Sequence, residues 1–172
     1  MSDTILKTRR LTLRRLNAND APFILRLLNE PSFIENIADR GVRTVADAVG
    51  YIEQGPQAMY AEHGVGLWLV ARTADDTPIG MCGLLKRPTL DDLDIGYALI
   101  PEACGQGFAH EACEGTLAYA SDTLGLSRVV AIVSAKNEAS IGLLKKLGFV
   151  FETETVSGDP PHSVLLFGKQ LG

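Results

Sequence analysis

The sequence predicts a mixed α/β fold, a single sheet with helices on both faces. Three observations predict it. Apolar runs of strand length are bounded by turn-forming residues in the middle of the chain. Residues 109–124 carry Ala112, Leu117, Ala120 and Leu124 at helical spacing. From residue 94 onward, strand-like and helix-like stretches alternate, which yields parallel neighbours in a sheet whose earlier strands are joined by short turns. At 172 residues, 46% hydrophobic and 22% charged, the chain is long enough for a substantial core, and a single domain over residues 1–172 is expected.

Residues 11–16 (Leu-Thr-Leu-Arg-Arg-Leu) read as a first strand with imperfect alternation. Residues 17–20 hold cap residues and Pro22 suits a first helical turn, so a helix through residues 23–28 follows, with Phe23 and Leu27, Ile24 and Leu28 four apart. Asn29-Glu30-Pro31 ends it. Residues 31–43 mix apolar and charged side chains without clean period, and are expected to form a mobile cleft wall. Thr44 caps a second helix over 45–54, broken near Gly55-Pro56 and resumed through 59–62. Residues 66–72 and 78–85 make a hairpin around a polar turn, with Trp68 placed in the core. A turn at 88–92 leads to a strand at 94–100. The long helix 109–124, a buried strand 128–133 and a short helix 139–147 come next. Two closing strands, 149–156 and 164–167, flank residues 157–162. The sum is about seven strands and about four helices.

Composition excludes several functions. The net charge of −5 argues against nucleic acid, whose phosphates need a basic surface, and is compatible with an amine partner. No apolar run approaches the roughly 18–20 residues that span a bilayer, and the first residues lack the apolar stretch of a secretory signal, so no membrane partner is expected. Three cysteines (Cys82, Cys104, Cys113) in no framework spacing suggest free thiols in a reducing cytoplasm. His63, His110 and His162 are far apart and no C-x-x-C occurs, so no metal site is expected. A homodimer is left open.

The most informative stretch is Asp-Ile-Gly-Tyr-Ala-Leu-Ile-Pro-Glu-Ala-Cys-Gly-Gln-Gly-Phe-Ala, residues 94–109. A strand runs through a glycine loop into a helix, an arrangement that presents unpaired N–H groups and the helix dipole to an anion. Gly105 and Gly107 let the backbone lie against a phosphate. The string G-x-x-x-x-G-K-[ST] does not occur. G-x-G-x-x-G fails because His110 stands where its last glycine is needed.

The loop resembles the pyrophosphate-binding loop of the GNAT acyltransferases, [Q/R]-x-x-G-x-[G/A], with Gly107 and Ala109 in its last two fixed places and Cys104 in place of Gln or Arg. Thr8-Arg9-Arg10-Leu11-Thr12-Leu13-Arg14 looks like the T-x-R-L-x-L-R opening of the RimJ/RimL-like branch, the ribosomal-protein N-terminal acetyltransferases. Asp94-Ile95-Gly96-Tyr97 looks like its [DE]-I-G-Y/W strand. Asn137-Glu138-Ala139-Ser140, then Lys146-Leu147-Gly148-Phe149, look like its N-x-x-S…K-x-G-F segment.

The resemblance implies the GNAT fold, a mostly antiparallel sheet whose central parallel pair is splayed. It implies acetyl-CoA as cofactor and transfer of the acetyl group to an amine, either a protein N-terminal α-amine or a small molecule. By the same resemblance Gly105, Gln106, Gly107, Phe108, Ala109 and His110 bind the pyrophosphate, His110 being equally an exposed helix-start residue. Ala98, Leu99 and Ile100 pair with the pantetheine arm. Asn137 bonds that arm or caps the last helix. Leu144 occupies the place of the family's acidic tyrosine, for which Ser140 is the branch's substitute or else a plain first-turn residue. Asp94 is the candidate base or a solvated strand-end carboxylate, and strand period puts Asp92 on its face. Tyr97 lines the acceptor cleft or packs. The acceptor is set by residues 29–64 and the loop before the last strand. A non-catalytic CoA-binding module is the alternative.

Overall fold

The computed structural model describes residues 3–158 and 160–172. Asp159, in the turn expected at 157–162, and Met1 and Ser2, at the start of the expected domain, lie outside the described residues. An eight-stranded sheet runs in the order β1-β2-β3-β4-β5-β6-β8-β7. The strands are β1 (Thr4–Lys7), β2 (Leu11–Arg14), β3 (Leu67–Arg72), β4 (Pro78–Leu85), β5 (Asp94–Leu99), β6 (Arg128–Val133), β7 (Val150–Ser157) and β8 (His162–Gln170). Neighbours are antiparallel except β5 and β6. The helices are α1 (Ala21–Leu28), α2 (Pro31–Asn36), α3 (Val45–Ile52), α4 (Ala58–His63), α5 (Phe108–Asp122) and α6 (Glu138–Lys146).

The expected order holds, with corrections. Thr4–Lys7 is an eighth strand, pairing with β2 across a bulge. Pro31 opens α2 rather than only closing α1, because proline at a first helical position gives up an N–H that would be unpaired there anyway. The break expected at Gly55-Pro56 does not occur. Residues Glu53–Gln57 form a π turn that absorbs the N–H missing at Pro56 and joins α3 to α4. The helix then stops at Gly64, whose φ of +74° is left-handed.

Caps form where the sequence places them. The Asn17 side chain accepts from Asn19 N–H and Asp20 reaches back to Asn17 N–H at 2.9 Å. Arg14 holds both Asp20 oxygens, at 2.9 and 2.7 Å. Thr44 and Asp47 make the corresponding box on α3. Leu11 and Leu13 alternate inward from β2, and Trp68 is fully buried on β3 with its ring edge-on to Tyr119 of α5, centroids 5.5 Å apart.

One irregularity positions everything functional. The parallel pair β5 and β6 is registered only at Asp94 and Val130, with Val130 N–H donating to Leu93 O at 3.0 Å. β5 remains paired with β4 along its full length, and β6 with β8. Beyond Asp94 the two central strands part, and the sheet opens.

Candidate active site

A cleft of about 1120 Å³ occupies the opening between β5 and β6. Ile100 N–H donates to Ile79 O on β4 at 2.9 Å, so by strand alternation the backbone groups of Tyr97 and Leu99 face the gap. Ala98 and Leu99 line the cleft. Ile100 does not: its side chain is buried and its N–H is spent on β4. The backbone groups left unspent along the gap are those of Tyr97 and Leu99, not of Ile100.

One end of the cleft is the glycine loop. Gly105 and Gly107 have φ of +78° and +82°, and Gly107 is the residue from which α5 springs. Ala109 and His110 line the cleft mouth with Gly105, Gly107 and Phe108. Gln106 does not line it. Its side chain turns back to Glu102 O at 2.9 Å, and its carbonyl accepts from Arg10 at 3.0 Å. His110 faces Glu114 one turn on, Nδ1 to Oε1 3.1 Å. Cys104 is an exposed free thiol on the loop, whereas Cys82 and Cys113 are buried with their sulfurs 4.0 Å apart.

The N-terminal motif grips this loop, a role sequence reasoning did not assign. Arg10 donates from Nε to Glu111 Oε1 at 2.7 Å and from its backbone N–H to Glu111 Oε2 at 2.8 Å. Thr8 also donates to Glu111, and the Arg10 guanidinium lies 4.2 Å from the Phe108 ring centroid. Burial would raise the Glu111 pKa, but the hydrogen bonds from Thr8 and Arg10 override it and hold the carboxyl below its ordinary value. The signal was present as T-x-R-L. Its partner, Glu111, sits about a hundred residues away in the sequence, beyond the reach of any local pattern.

In the middle of the cleft stand Asp94, Tyr97, Asn137 and Ser140. Asp94 is only 1% exposed, so it is not a solvated strand-end group. Burial pushes its pKa up to about 6, against the pull of Arg87, whose Nε donates at 2.8 Å. Asp92 does not join it. That residue precedes β5 in a bend and accepts from Arg128 at 3.0 Å, in a cluster with Glu152. The Tyr97 hydroxyl donates to Ser140 Oγ at 3.1 Å, and burial pushes its pKa up to about 12, so it stays protonated. Asn137 Oδ1 accepts from Ser140 N–H at 3.2 Å, capping α6 and leaving its amide NH₂ for a ligand. Leu144 is buried against the cleft.

The other end is walled by α2, residues 37–40, Tyr51, Leu85, Arg87 and residues from both ends of the β7–β8 turn. A family model described as an acetyltransferase (GNAT) domain matches residues 10–150. The chain belongs to the GNAT acetyltransferase family. It is 33% identical over 146 residues to an uncharacterized N-acetyltransferase of Bacillus subtilis, YoaA, covering 84% of this chain and 82% of that one. Among solved structures it is similar in fold to RimL, a ribosomal L7/L12 α-N-protein acetyltransferase in complex with coenzyme A (TM-score 0.84, 15% identity, 98% of both chains). The microcin C7 self-immunity acetyltransferase MccE, with acetyl-CoA and AMP, has a TM-score of 0.80 at 18% identity, over 95% of this chain and 93% of that one.

GNAT acetyltransferases use acetyl-CoA, and the cleft fits it. A strand edge with unspent amide groups suits the pantetheine amides, and a glycine loop at a helix start suits the pyrophosphate. No group of three or more acidic, His or Cys side chains among the described residues could hold a metal ion. No helix among them is long and apolar enough to cross a membrane.

Proposed function

We propose that this GNAT acyltransferase moves an acetyl group from acetyl-CoA to a primary amine, of a protein N-terminus or a small molecule, by direct attack in a ternary complex. One observation carries the reading: a buried carboxyl and a hydroxyl pair face one cleft where the central strands part. Acetyl-CoA supplies the acetyl thioester. The acceptor nitrogen must lose a proton as it attacks, and the leaving sulfur must be stabilised.

Asp94 is the base. With a pKa of about 6 it is mostly ionised at neutral pH, yet basic enough to take a proton directly or through one water. Arg87 fixes the carboxylate by its Nε hydrogen bond and keeps it from being protonated outright. Ser140 is the acid in place of the tyrosine that Leu144 displaces. Because Tyr97 donates to Ser140 Oγ, the Ser140 proton is free to point elsewhere in the cleft, and the incoming bond polarises it. The amide of Asn137 and the backbone of Tyr97 and Leu99 hold the cofactor arm; Gly105, Gly107 and the start of α5 hold the phosphates. The free cysteines suit a reducing cytoplasm.

The test is thiol release from acetyl-CoA across an amine panel, beside calorimetric binding. Turnover with at least one amine supports the reading. Binding of acetyl-CoA with no turnover on any amine supports a binding module instead.

A further inference from the structure

The acceptor end carries an uncompensated cation on a braced loop. Residues 39–43 are tied at several points. Asp39 accepts from Gly41 N–H at 2.9 Å and from Arg43 Nη2 at 2.6 Å. Arg43 also donates to Asn29 Oδ1 at 2.9 Å, and Asn29 donates to Val42 O at 2.8 Å. Each tie consumes a polar group of the loop except Arg40, which lies on the cleft wall between Asp39 and Gly41. Among the described residues Arg40 has no carboxylate partner, although most arginines here have one.

Tyr51 of α3 also lines the cleft, and its hydroxyl has no hydrogen-bond partner among the described residues. Burial raises the Tyr51 pKa, and the positive charge of Arg40 opposes that rise. The other formal charges on the cleft wall offset one another, Glu138 against Lys146 among them. Asp39 is spent on Arg43, and Asp94 on Arg87, whose Nη groups make no further bond among the described residues. The acceptor therefore meets a surplus of positive charge and unspent donors. Such a wall repels an ammonium, attracts an anion, and keeps a nearby amine neutral and nucleophilic.

Resting on the acetyltransferase reading, we infer that the acceptor is a small amine bearing a carboxylate or phosphate, whose anion is held by Arg40 with the Tyr51 hydroxyl. A guanidinium fork matches either anion, and a phenol adds one donor to it.

The probes are an α-amino acid, its amide, the same amine without a carboxyl group, and an aminoalkyl phosphate. Binding to the CoA-saturated protein is read by saturation-transfer NMR, which needs no turnover, and kcat/KM by thiol release. The acid or the phosphate should exceed the amide by about tenfold to a hundredfold, the worth of a charge-assisted hydrogen bond. In Arg40→Gln that ratio should shrink through KM to within about threefold, with acetyl-CoA affinity unchanged as proof of folding. Preference for carboxylate or for phosphate then tells which anion the site takes. An amide as good as both anions, or a preference that survives in R40Q, overturns the inference. Should acetyl-CoA fail to bind, the acetyltransferase reading falls, while the NMR ratio on the free protein still decides the role of Arg40.

Discussion

The two ends of the cleft are built from different materials. The end proposed to hold the phosphates is backbone: Gly105, Gly107 and the first turn of α5, with side chains such as Arg10 and Glu111 serving to hold that backbone still. The end proposed to take the acceptor is side chain: Arg40, Tyr51 and Arg87, with Asp94 bonded to Arg87, contributed by separate segments. A backbone site needs particular dihedrals, hence glycines at fixed spacing, and a motif results. A side-chain site needs only that the right groups meet, and many sequences can arrange that. The glycine-loop end is therefore readable in the sequence, and the side-chain end is not.

The comparison breaks most visibly at Asp94. Asp94→Asn should lower kcat by about a hundredfold to a thousandfold, the range of a lost general base, while acetyl-CoA affinity stays within about twofold. The wild-type rate should fall as pH drops through about 6, and the variant should lose that limb. Stability should move oppositely. Folding raises the carboxyl pKa from 3.8 to about 6, so the folded chain holds the extra proton between those values, and ionising Asp94 costs stability as pH rises through that window. The melting temperature of D94N relative to wild type should therefore be higher at pH 7 than at pH 4. A difference that does not change with pH would mean that Asp94 is not strained by its burial.

Ser140→Ala comes next, with an expected loss of about tenfold to a hundredfold in kcat. Tyr97→Phe should cost less, about threefold to tenfold, because it removes only the hydrogen bond that directs Ser140. If Y97F matched S140A, Tyr97 rather than Ser140 would be the acid. At the phosphate end, Arg10→Ala should weaken acetyl-CoA binding by about tenfold with little change in acceptor KM, since Arg10 acts through the Gln106 carbonyl and Glu111. An equal effect on both substrates would show that the ends are not independent.

What sequence reading found follows the same division. The element order and the β5–loop–α5 unit were legible because each carries its own period or glycine signal. β1 was missed because four residues, Thr4–Lys7, half-exposed and bulged, show no alternation. α2 was missed because Pro31 signals an end and a beginning alike. Strand period put Asp92 beside Asp94, but β5 begins only at Asp94, so the period did not apply. Arg87 and Arg40 gave no signal, since a cation in a turn or loop is ordinarily solvated. Ile100 and Gln106 were placed by motif position; the Ile100 N–H is spent on Ile79 O, and the Gln106 side chain turns away to Glu102 O.

The most direct measurement is a calorimetric titration of acetyl-CoA into wild type, Gly107→Val and Asp94→Asn, which requires no knowledge of the acceptor. A β-branched residue at the left-handed φ of +82° must distort the start of α5. The account predicts micromolar-range binding to wild type and D94N, and about a hundredfold weaker binding to G107V. Unimpaired binding to G107V, or loss of binding in D94N, would contradict the division of the cleft into a backbone end that holds the cofactor and a side-chain end that works on the acceptor.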